Sequence, residues 1–286
     1  MREYFEAGFT QALLQMCNGV LSFVFLAYLL HLVGSRLKCE MKSLFGKFER
    51  VLAVPGEFFR NVGISIACML TGTKIRRHII RSDESGTSAS VTHSRMEAGT
   101  PMGFIRNLII LTAPIWFGCI VLGIFVFVAG GVGMMPDVKS VFADGDVGFI
   151  KYVTSVFWEA LSMLGSLVCV WHWTSPFCLF CLVCFISIAT EITIDTRSIW
   201  SIKAGLFGLF VILIVLNAIP GMTTAFATIG RTVRPILFRL HVILLFVVFF
   251  DFAAVWLFKA LSAVFHRARA IFQRNGAGIE LARIAG

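Results

Sequence analysis

Residues 54–72 read V-P-G-E-F-F-R-N-V-G-I-S-I-A-C-M-L-T-G. The stretch is apolar enough to enter a bilayer, yet it carries Glu57, Arg60 and Asn61. Ionisable groups at membrane depth are costly and persist where they serve a function or pair internally. Pro55 suits a first helical turn, and Gly72 suits a helix stop. Glu57 lies near the N-terminal end, where the helix dipole favours a negative charge. Glu57 and Arg60, three residues apart, can also pair with each other on one helical face.

Composition extends this to the whole chain. Of its 286 residues 58% are hydrophobic, 29 are Phe and only 14% are charged, where a soluble domain carries about 25% charged residues. Several apolar runs approach the roughly 20 residues that cross a bilayer. The expected fold class is an all-α multi-pass membrane protein, a single membrane domain over 1–286 with six or seven membrane segments. The net charge of +9 fits juxtamembrane Lys and Arg facing anionic lipid. No soluble basic module is visible, so no nucleic-acid partner is expected. The eight Cys fall mostly inside apolar runs, which argues for buried thiols rather than a disulfide framework. Cys178, Cys181 and Cys184 step by three without a fourth ligand, so they read as small buried hydrophobes.

Upstream, a first span is expected over 11–33, within an N-terminal unit of 1–34, with His31 near its interfacial end. Residues 34–50 carry Arg36, Lys38, Lys42, Lys47 and Arg50 with apolar residues at helical spacing, which predicts a surface-lying amphipathic helix. Downstream, residues 74–93 alternate weakly around Asp83 to Gly86 and predict a small β-hairpin between the second and third membrane segments. His78 and His93 could face each other across it; two are too few for a metal, and they read as solvated. Residues 104–131 form the next span, kinked at Pro114. A loop with Asp137, Asp144 and Asp146 is too loosely spaced to bind calcium. A span over 152–170 ends at Trp171-His172-Trp173, an interfacial anchor.

The interruption over 188–205 carries Glu191, Asp195, Arg197 and Lys203 and reads as a polar turn with a local Asp195–Arg197 pair. Residues 220–286 supply a C-terminal span and a basic tail. His241 and Asp251 lie inside its apolar run, and a mid-membrane Asp251 demands a partner. Arg60 is the expected one. The connectors 34–50, 74–106 and 231–239 and the tail are all basic. The positive-inside rule cannot satisfy all four if every apolar run spans, and the conflict eases if 54–72 dips in without crossing.

The order of these pieces resembles the intramembrane zinc metalloproteases of the site-2 protease superfamily, in the compact prokaryotic membrane zincin form. There a Pro-Gly turn leads into H-E-x-x-H, followed by an apolar run, a Thr-Gly exit, a hairpin and an Ala-Pro helix. Here Pro55-Gly56, Thr71-Gly72 and Ala113-Pro114 are present, and the resemblance covers about residues 50–210. In the register set by Pro-Gly, Arg60 stands for the first His, Asn61 for the Glu and Ile64 for the second His. Arg has no lone pair to give, Asn cannot act as the base, and Ile offers no donor. Asp195 is the nearest candidate for the family's third, aspartate ligand, although Ser198 takes that position in another register.

The resemblance therefore implies a degenerate metal site: no catalytic residue, no cofactor expected, and zinc only if the motif register is wrong. The expected function is a catalytically inactive site-2-protease-like integral membrane protein that binds or regulates a membrane partner, either a transmembrane helix or a peptide. Its surroundings would be the lipid bilayer of a prokaryotic inner (plasma) membrane. Two other classes stay open. One is a transporter or channel with Arg60, His241 and Asp251 lining a polar path, Glu57 and Asn61 being the other intramembrane polar residues. The other is an intramembrane metalloprotease whose zinc site is rebuilt from His78, His93 or His172 together with Asp195.

Overall fold

A computed structural model describes residues 6, 9–10, 12–13, 16–83, 86–93, 101–130, 141–142, 149–170, 175–192, 199–219 and 222–284. After a π-helical turn, Met16–Leu21, come α1 (Ser22–Phe45), a 3-10 turn (Gly46–Phe48) and α2 (Glu49–Leu70). Two strands follow, β1 (Ile75–Asp83) and β2 (Gly86–His93), paired antiparallel. The remaining elements are α3 (Pro101–Gly130), α4 (Phe149–Val170), α5 (Pro176–Glu191), α6 (Ile199–Ala218) and α7 (Met222–Ile284).

Five described helices are long and apolar enough to cross a bilayer: Ser22–Phe45, Val51–Leu70, Ile105–Val128, Phe149–Cys169 and Thr232–Phe265. Leu179–Glu191 and Gly205–Asn217 are apolar but shorter. Long helices are the expected solution, because a backbone in lipid must satisfy its own hydrogen bonds. The chain has the architecture of a multi-pass helical membrane protein.

Two boundaries differ from the sequence reading. The basic connector is not a separate surface helix, because α1 runs unbroken through Gly34 to Phe45. Tertiary packing holds it: α1 lies parallel to α7, with Gly19 nearest Leu237, Ser22 beside His241, Leu37 and Met41 in one cluster with Ala254 and Val255, and Phe45 against Phe258. Such a seam buries Leu37 and Met41 where a surface helix would present them to lipid. Nor does Pro55 open a helix; α2 begins six residues earlier at Glu49, directly after the 3-10 turn. Gly46, with φ +54°, turns the chain there, in a region that glycine enters without a Cβ penalty.

The main core is aromatic. Phe238, Phe246 and Phe185 are buried, and Phe185 meets Phe250 edge to face at 4.7 Å. A smaller cluster of Ala67, Cys68, Ile110 and Ala113 joins α2 to α3. It anchors the end of α2, where the Thr71 hydroxyl donates to the Ala67 carbonyl at 2.8 Å and Gly72 stops the helix at φ +65°. The placement of Gly72 agrees with its reading as a stop signal.

Candidate functional site

The site forms where α2 meets the end of α5. Pro55 has no N–H to give, and the next amide, Gly56 N–H, donates to the Ser187 hydroxyl of α5 at 2.8 Å. The helices approach closely at this point. A Cβ on Gly56 would stand 2.1 Å from the Ser187 carbonyl oxygen and 2.7 Å from Glu191 Cγ. Only glycine permits that approach. The Pro-Gly pair thus serves as a docking notch in mid-helix.

One turn further on, the notch carries charge. Glu191 is the last residue of α5 and is buried. A carboxylate at a helix C-terminus faces the negative end of the dipole, and burial adds a desolvation penalty. Two cations from other helices offset both. Lys38 Nζ of α1 pairs with Glu191 Oε1, and Arg60 Nη1 of α2 lies 3.7 Å from Glu191 Oε2. The side chains of Lys38 and Arg60 are 36% and 30% exposed against 5% for Glu191, so the carboxylate is the buried hub and the cations reach in from its rim.

This changes the expected pairing. The carboxylate beside Arg60 is Glu191, not Asp251. By the parallel seam, ten residues beyond His241 and three before Ala254, Asp251 stands level with residues 32–34 of α1. It is fully buried, and neither of its carboxylate oxygens has a hydrogen-bond partner among the described residues. Glu191 is also no part of a polar turn: α5 continues helically through it. Its signal in the sequence was a lone acid ending an apolar run. Its partner Lys38 lay hidden among the basic residues of the connector.

The other motif positions flank the notch. Asn61 is half-buried, with its Oδ1 buried and unpartnered among the described residues. Ile64 packs on the cluster of Ala67, Cys68, Ile110 and Ala113. Glu57 is half-buried on α2. The strand register sets His93 opposite Ile75 and His78 opposite Val91, so these two histidines are not cross-strand partners; their side chains, and Asp195, Ser198 and His172, lie outside the described residues. Among the described residues no three His, Cys, Asp or Glu side chains are grouped so as to hold a metal ion. The Arg60 guanidinium itself gives a metal no lone pair.

His241 lies elsewhere, near the start of α1. It is buried, with Nε2 3.0 Å from Ser22 Oγ and Nδ1 3.0 Å from the Tyr152 hydroxyl of α4 and 2.7 Å from the Leu237 carbonyl. It joins three helices and is separate from the Glu191 hub. Of the five intramembrane polar residues singled out in the sequence, Arg60 is in the ion pair at the notch. His241 belongs to another junction.

In comparison with known proteins, the chain matches no family model, no curated protein and no solved structure. The fold and the site define a class, the multi-pass helical membrane proteins, here with an ion cluster from three helices around the buried Glu191.

Proposed function

We propose that this protein is an integral membrane protein on a site-2-protease-like scaffold, inactive as a metallopeptidase, that binds or regulates a membrane partner. The partner is a transmembrane helix or peptide segment, and the setting is a prokaryotic plasma membrane. Six or seven membrane segments, with the β-hairpin between the second and third, complete the reading. The observation that carries it is the Arg60–Glu191 contact. In the Pro-Gly register Arg60 takes the first metal-binding position, and a guanidinium held on a buried carboxylate supplies a fixed positive charge where the family places its ion. The scaffold then keeps its charge balance without the chemistry of a metal-bound water.

Elemental mass spectrometry of purified protein tests the first half. The expected result is no stoichiometric zinc, and near-equimolar zinc lost on Asp195→Ala overturns it in favour of a rebuilt site. A photo-crosslinking side chain at Ile64 tests the second half. The expected product is an adduct with a single-span protein or a peptide segment, and adducts with lipid alone overturn it.

A transporter is the second reading, and Asp251 favours it. Ionisable side chains buried at membrane depth mark ion and proton pathways, and this one has neither oxygen hydrogen-bonded among the described residues. Solute or proton flux across sealed vesicles, abolished by Asp251→Asn, decides for it. Flux that survives the substitution, or none at all, decides against it.

A further inference from the structure

The His241 junction lies at the other end of α1 from the Glu191 hub. Lys38 is 16 residues beyond Ser22 on the same helix, about 24 Å at 1.5 Å per residue. Its geometry stands independently of the reading above. Nδ1 of His241 lies 2.7 Å from the Leu237 carbonyl oxygen. A nitrogen and an oxygen this close attract only with a proton between them, which places the imidazole hydrogen on Nδ1. Nε2 is then a lone pair, and a buried lone pair needs a donor. The Ser22 hydroxyl at 3.0 Å is positioned to give it one, and this contact is shorter than its 3.2 Å approach to the Gly19 carbonyl. The Tyr152 oxygen, 3.0 Å from the same Nδ1, shares its proton.

The arrangement is a hydroxyl, a base that faces it, and a third set of groups that orients the base. These are the parts of an activated serine nucleophile. The surroundings add to it. Ser22 follows directly on the π-helical turn Met16–Leu21, and π turns recur at functional sites. Ser22 is half-buried and is flanked by Leu21 and Phe25, exposed by 43% and 61%. On a membrane helix those side chains meet lipid, so an acyl chain arriving from the bilayer would reach the hydroxyl past them.

We propose that Ser22 and His241 form a Ser–His nucleophilic dyad acting on acyl esters presented by the bilayer. Ser22 Oγ attacks the ester carbonyl carbon as His241 Nε2 takes the hydroxyl proton. The carbonyl–oxygen bond to the alcohol breaks, and that alcohol leaves with the proton from Nε2, giving an acyl-serine. Water is the second reactant. It gives one proton to Nε2 and its oxygen to the acyl carbon, the bond to Ser22 Oγ breaks, and the proton returns to Ser22. The imidazolium formed in each half is met by the Leu237 carbonyl and the Tyr152 oxygen, which act as positioning groups.

The test uses the full chain in lipid nanodiscs with a long-chain alkyl fluorophosphonate, followed by peptide mass spectrometry. The expected result is an adduct on Ser22 and none on Ser35. Ser35 is an internal control: it is exposed and hydrogen-bonded to a backbone carbonyl, that of Leu32, at 2.9 Å, and although His31 lies one turn before it, among the described residues no hydrogen bond joins it to an imidazole. His241→Gln should slow labelling by on the order of 100-fold or more, the usual loss with a general base, and Tyr152→Phe by less. No adduct on Ser22, equal adducts on Ser22 and Ser35, or a His241→Gln protein labelled as fast as the unaltered one overturns the proposal. Should His241→Gln fail to fold, the comparison of Ser22 with Ser35 in the unaltered chain decides alone.

Discussion

Replacing Glu191 by Gln should be the most damaging charge change at the α2–α5 notch. The substitution keeps the shape and removes the charge, leaving Lys38 and Arg60 gathered around a neutral group. At 3.7 Å the Arg60–Glu191 attraction is about 4.5 kcal/mol at an effective dielectric near 20, a gross figure before desolvation. Two corrections reduce it. Both cations are about one-third exposed, so water or headgroups can take them up when the carboxylate is lost. The amide also recovers part of the hydrogen bonding. Removing one partner of a fully buried pair costs about 3–5 kcal/mol, and with these discounts the expectation for Glu191→Gln is a loss of about 2–3 kcal/mol. Arg60→Gln removes only the longer of the two contacts, from a side chain about one-third exposed, and should cost about 1 kcal/mol. Equilibrium unfolding of the purified variants in mixed micelles measures both. If Arg60→Gln costs as much as Glu191→Gln, or Glu191→Gln costs less than about 0.5 kcal/mol, the carboxylate is not the hub and the account fails.

Further outcomes follow from the same packing. Gly56→Ala should destabilise by about 1–3 kcal/mol or more, because its Cβ meets backbone at 2.1 Å. Gly118→Ala, whose Cβ meets the Ile192 side chain first, at 2.3 Å, should cost less; equal losses by the same unfolding assay contradict the notch. Asp251→Asn removes no hydrogen-bonded partner among the described residues and should stay within about 1 kcal/mol of the unaltered protein. A loss well above that would reveal a partner. Gly72→Ala, at φ +65° on an exposed helix end, should cost about 1 kcal/mol through backbone strain alone, seen as a lower Tm with the far-ultraviolet spectrum unchanged.

Much of the helical architecture is legible in local pattern. Long apolar runs predict helices because lipid leaves the backbone no other hydrogen-bond partner. Thr71-Gly72 predicts the end of α2 because glycine alone enters the left-handed region without penalty. Local pattern also picks out Arg60 as a charge needing an explanation. It does not say where the explanation lies. Glu191 is 131 residues away in sequence, Lys38 sits in a connector that reads as surface, and Ser22 and Tyr152 carry no signature of their own. Each acquires its role from helices brought side by side, and the seam between α1 and α7 that sets those neighbours depends on shape as well as on hydrophobicity. Pro55 shows the division most directly. By itself the sequence determines that its nitrogen can donate no hydrogen bond. Only the tertiary structure decides that the next amide turns to Ser187, because that contact needs a second helix within van der Waals distance of Gly56.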